Sequence, residues 1–134
     1  MPFPMRRAVP MMMLAALAAC QSNTTPPSSG GKSAALRSME QIAIAAHKCW
    51  FASKDPAFRG YRFANELNSM SGQPRFLLVP AKNFGGLPAL VVQAQGAKPD
   101  LQVFGPLMQE PLGKRIESDV RRWASGSSSC TAAA

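Results

Sequence analysis

Groups that do chemistry are sparse in this chain. It has one histidine, His47, and seven carboxylates: Glu40, Asp55, Glu66, Asp100, Glu110, Glu117 and Asp119. No two of these carboxylates stand at a spacing that recommends general acid–base work. No nucleophile elbow, phosphate-binding glycine loop or zinc signature occurs either, so no cofactor or metal is expected. Long apolar runs are missing too. The longest, residues 8–19, has 12 residues, against the roughly 20 that a bilayer-spanning helix needs, so a permanent transmembrane segment is not expected. Basic residues outnumber acidic ones, 15 to 7, yet they are scattered. The pairs Lys114-Arg115 and Arg121-Arg122 form no dense run, and Glu117 and Asp119 dilute the second. A nucleic-acid-binding arm is therefore not expected.

What is present is concentrated at the beginning. Residues 1–20 read MPFPMRRAVPMMMLAALAAC: Arg6 and Arg7, then the short apolar stretch, then Leu17-Ala18-Ala19-Cys20. A charged region before a short apolar one has the form of an export leader. The last four residues resemble the lipobox of bacterial lipoproteins, in which leucine and two small residues precede a cysteine. Small side chains at Ala18 and Ala19 let an extended backbone enter a signal peptidase, and the Cys20 thiol is the nucleophile that takes a diacylglyceryl thioether. The resemblance implies removal of residues 1–19, lipid such as palmitate on Cys20, and a chain facing the periplasm from an envelope membrane. Two or three acyl chains would make that attachment stable, because each buried methylene contributes about 0.8 kcal/mol and one chain anchors only marginally. In such lipoproteins of enteric bacteria an aspartate after the cysteine favours inner-membrane retention. Gln21 stands there instead, which favours the outer membrane.

Loss of Arg6 and Arg7 with the leader leaves 13 basic against 7 acidic residues, a formal +6. A charge of that sign favours anionic surfaces and affects encounter more than fold. Residues 20–32 comprise the lipidated cysteine and a Ser/Thr/Pro/Gly tether without a large apolar side chain, which cannot offset the entropy of ordering. One small domain, 33–134, follows. Ser33 can cap a helix over about 34–48, with Leu36, Met39, Ile42, Ala43, Ala46, Cys49 and Trp50 on one stripe. Arg37, Gln41 and Lys48 face water, and Ile44 falls awkwardly off the stripe. Segment 61–67 alternates as a strand, with Tyr61, Phe63 and Leu67 on one side, although Phe63, Leu67 and Met70 also fit a helix. Segments 76–79 and 89–92 read as a hairpin with an irregular loop, and 101–104 as a further strand. Pro111 suits the start of a helix carrying Leu112, Ile116, Val120 and Trp123. The expected class is α+β: a short antiparallel sheet of three to four strands, with an N-terminal and a C-terminal helix packed on one face.

If Cys20 carries lipid, Cys49 and Cys130 are left as a pair, and the oxidising periplasm that the resemblance implies favours a disulfide between them. Free thiols or a catalytic cysteine compete with that reading, but no partner motif accompanies either residue. One histidine and two bridged cysteines are too few for a metal site. His47 can be a general base, or a surface residue favourably placed near a helix C-terminus. The loop Asn83-Phe84-Gly85-Gly86-Leu87-Pro88 can serve binding or merely connect strands. Trp50 and Trp123 read as core anchors. Two functions follow. One is a non-enzymatic binding or scaffolding module of the cell envelope, meeting the membrane through Cys20 and, beyond it, envelope proteins or anionic glycolipid. The other is an enzyme acting on cell-wall or lipid material with a site near His47. A third, inhibition of a host lysozyme, is disfavoured because lysozymes are usually basic as well.

Overall fold

The computed structural model describes residues 32–68, 72–83, 85–97 and 100–131, all within the unit Gly31–Ala134. The leader, Cys20, the tether before Lys32, Met70 and Phe84 lie outside the described residues. Helix α1, Ala34–Ala46, begins where Ser33 Oγ accepts from the Leu36 amide at 3.0 Å. Regular α geometry ends at Ala46, two residues before the expected end. The chain then widens into a π turn, His47–Ala52, in which Ser53 N reaches back five residues to Lys48 O at 3.1 Å. Lys54 closes it with φ of 56°, the left-handed conformation that usually falls to glycine after a helix end. Asp55 then caps a short 3₁₀ turn, Pro56–Phe58, which drives Phe58 inward.

Four strands follow as an antiparallel meander: β1 Tyr61–Glu66, β2 Arg75–Pro80, β3 Leu90–Gln95 and β4 Asp100–Phe104, in spatial order β1-β2-β3-β4. The 61–67 segment is thus a strand, with Leu67 in the turn beyond it. The register pairs Phe63 with Leu78, Phe76 with Val92, and Val92 with Val103. Because side chains alternate across a strand, this register gathers Phe63, Phe76, Leu78, Leu90, Val92, Ala94, Leu101 and Val103 on one face. Gly105, at φ of 131°, turns the chain out of β4 so closely that a Cβ there would lie 2.5 Å from Ala89 O. A 3₁₀ turn, Pro106–Gln109, then leads to α2, Leu112–Ala124.

Both helices cover the same sheet face. Met39, Ile42, Ala43 and Ala46 of α1 join Ile116, Val120 and Trp123 of α2 over that layer, with Trp50 and Phe58 among them. The expected α+β arrangement is therefore the observed one, with four strands. Trp50 and Trp123 are core anchors: both are buried, their ring centroids 5.1 Å apart. Among the described residues no helix is long and apolar enough to cross a membrane.

Two features fasten the ends. Cys49 and Cys130 form a disulfide with Cα atoms 5.2 Å apart, tying the π turn to the tail beyond α2. The tail is also held by hydrogen bonds to its carbonyls: Trp123 Nε1 donates to Ser129 O at 2.8 Å and Lys48 Nζ to Ser128 O at 2.9 Å. Beneath them Asp119, only 4% exposed, accepts from Trp50 Nε1 at 2.8 Å and from Arg122 Nη2 at 2.7 Å. Its buried charge is thereby both paired and hydrogen-bonded, which burial of a carboxylate requires.

Candidate functional site

The amphipathic design of α1 leaves one large apolar residue outside. Ile44 sits on the helix face turned from the core and is 70% exposed. Beside it a groove of about 740 Å³ opens between α1 and the edge strand β1. The helix contributes Glu40, Ala43 and Ile44, the π turn His47, Lys48 and Ala52, and the β1 side Phe63, Asn65 and Leu67; Lys32 stands at the rim. Its volume falls within the usual range of small-molecule sites, about 300 to 1,000 Å³.

His47, the histidine that the sequence singles out, lines this groove. Its ring is exposed and packs against aromatic rings, edge-on to Phe63 at 5.6 Å and stacked on Phe51 at 6.3 Å between centroids. The carboxylate on the same wall is Glu40, seven residues earlier. At 1.5 Å rise per residue the two positions are about 10 Å apart along the helix. Glu40 is moreover engaged by Lys32 Nζ at 2.8 Å. Among the described residues, therefore, no carboxylate stands at the imidazole as a base–orienter pair would need. Among the described residues no group of three His, Cys, Asp or Glu side chains could hold a metal ion.

The acidic residue with the most elaborate surroundings is Asp119, which in the sequence is one of seven carboxylates without paired spacing and a diluent of basic charge. Arg115, Asp119 and Arg122 stand at four- and three-residue spacing on α2, so all three meet. Arg115 also pairs with Asp55 and lies over the Phe58 ring at 5.3 Å. The hydrogen bond from Arg115, then that from the Ala57 amide, hold the Asp55 carboxyl below its ordinary range. Burial pushes the Tyr61 hydroxyl up, and the nearby Glu110 charge adds to it. These contacts join the π turn and its 3₁₀ neighbour to α2.

Among the described residues no helix packs on the opposite face of the sheet. Leu77 and Val79 are buried there, Leu77 beside Val91 and Val91 beside Phe104 across the strands, and Phe104 is 48% exposed. In the β2–β3 loop Leu87 is 89% exposed, so the loop shows an apolar side chain to solvent.

Comparison of the chain with protein families, with curated proteins and with solved structures finds no match.

Proposed function

We propose that this is a membrane-anchored, periplasm-facing lipoprotein whose single domain is a non-enzymatic binding or scaffolding module of the cell envelope, with the outer membrane favoured over the inner. The anchor half of the reading rests on the Leu17-Ala18-Ala19-Cys20 motif behind its charged and apolar leader. The observation that carries the module half is the apolar groove with Ile44 at its lip. An exposed apolar side chain beside an open concavity offers contact energy. Catalysis needs paired polar groups, and at this site the imidazole meets phenyl rings while Glu40 meets a lysine.

The test is in-cell photocrosslinking from position 44 with the anchor intact. Capture of envelope protein or anionic glycolipid is the expected result. It is run beside His47→Ala, which should retain the function lost on deletion of the protein. A folded His47→Ala variant that reproduces the deletion would instead establish the second reading, an enzyme working on cell-wall or lipid material at His47.

A further inference from the structure

Ile44 stands between two concavities. One is the groove toward β1, and the other, of about 400 Å³, is walled by Arg37, Gln41, Ala45, Lys48 and Ser128. The ridge is thus apolar at its crest and bordered by Lys32, Arg37 and Lys48, with one carboxylate, Glu40, which Lys32 occupies. Arg37 and Lys48 meet no carboxylate among the described residues. They donate to carbonyl oxygens, Arg37 Nη1 to Lys32 O at 2.6 Å and Lys48 Nζ to Ser128 O at 2.9 Å, and both residues are exposed.

The apolar face of α1 is taken up by the core, but Ile44 with the cations around it pairs an apolar side chain and positive charge as membrane-interface surfaces do. The covalent path leads to the same face. Lys32, on the rim, directly follows residues 20–31, which run back to Cys20. Fully extended, those twelve residues span at most about 40 Å, so a domain held by lipid at Cys20 stays within reach of the bilayer with its groove face joined to the tether. One large exposed apolar side chain is little for a stable protein interface, which needs about 800 Å² from each partner. At an anionic lipid surface it acts together with the cations around it, each adding about 1 kcal/mol, so the face binds without a tether and the tether raises its local concentration further.

We infer that the Ile44 face docks on the surface of an anionic lipid bilayer, with Ile44 entering the boundary between headgroups and acyl chains and Arg37 and Lys48 meeting anionic headgroups. The inference deepens the anchored-module reading and rests on it for the tether, but the face can be tested without lipid on Cys20.

The experiment is co-sedimentation of the mature chain carrying Cys20→Ser with vesicles of phosphatidylethanolamine and phosphatidylglycerol, and with vesicles of phosphatidylcholine. Binding to the anionic vesicles that weakens with added salt is expected, because surface attraction is screened over about 10 Å at 0.1 M. Ile44→Asp should lower partitioning roughly tenfold by removing the buried apolar group. Lys48→Glu should lower it at least roughly fivefold, the effect of one cation near an anionic surface. Two controls make the same charge changes elsewhere: Leu87→Asp on the β2–β3 loop and Lys114→Glu on α2. Both should stay within about twofold of the parent, a smaller effect than that of the one-cation loss. Circular dichroism confirms that each variant folds. Equal losses in both members of a pair would reduce the effect to general attraction by a basic chain and overturn the inference. So would equal binding to phosphatidylcholine, no binding, or capture from position 44 of protein alone. Absence of lipid on Cys20 with vesicle binding intact would sink the anchor and spare the face.

Discussion

Truncation of Asp119 is the sharpest test of how this fold holds together. Asp119→Ala leaves the indole N–H of fully buried Trp50 without its acceptor, at about 1 to 3 kcal/mol for an orphaned buried donor. It also strips the carboxylate from Arg122, whose side chain is 12% exposed, and breaking a buried ion pair costs about 3 to 5 kcal/mol. Arg122 retains one other acceptor, Ser129 O at 3.1 Å, so the lower part of that range applies. These contributions share one carboxylate and do not simply add, which gives about 3 to 4 kcal/mol. For a domain with about 5 to 15 kcal/mol in total, that loss is large. The control is Glu117→Ala on the same helix, which removes an ion pair to Arg121 with side chains 50% and 76% exposed; such pairs contribute about 0 to 1 kcal/mol. Urea titration with the disulfide intact measures both variants. A loss in Asp119→Ala no larger than in Glu117→Ala would refute the claim that the Trp50–Asp119–Arg122 cluster locks the π turn to α2.

Lys54→Gly should stabilise the domain by about 0.5 to 1 kcal/mol, since the left-handed conformation costs a side-chain-bearing residue about 1 to 2 kcal/mol and glycine gives back part of that as unfolded-chain entropy. Its midpoint should rise by a few degrees on thermal unfolding, and a fall would mean that the lysine side chain contributes more than its backbone costs. Asp55 makes the acid limb pH-dependent. Because Arg115 and the Ala57 amide lower its folded pKa, its stabilisation is full above the ordinary value of about 3.9 and is lost as pH falls through the lower folded value. The stability gap between the parent and Asp55→Asn should therefore shrink below about pH 4, and a gap constant from neutral pH to below that point would exclude the linkage.

Elements whose determinants are local were legible in the sequence. Ser33 caps α1 from three residues away, and the alternation in 61–66 and the turn residues between β2 and β3 act over a few positions. The order β1-β2-β3-β4 follows because short connections make neighbours in sequence neighbours in the sheet. Ile44 was visible as the residue off its stripe, and the structure gives that misfit a place at the lip of a groove. Asp119 was not legible as a buried acid because its indole partner is 69 residues away in sequence, though the spacing of Arg115 and Arg122 around it was a usable signal. The π turn had none. Its five-residue hydrogen bond sits where the helical stripe continues through Cys49 and Trp50, so periodicity reads straight across it. His47 stood out as the single histidine, but its surroundings depend on where Phe63 of β1 meets the turn, which only the packed structure decides.

The anchor on which the functional reading turns is tested most directly by intact mass and tandem mass spectrometry of the N-terminal peptide of the protein recovered from bacterial envelopes. The account predicts a chain that starts at Cys20, without residues 1–19, and that carries thioether-linked diacylglycerol and an acylated amine. A chain still bearing the leader, or one starting at Cys20 with a free thiol, would contradict it.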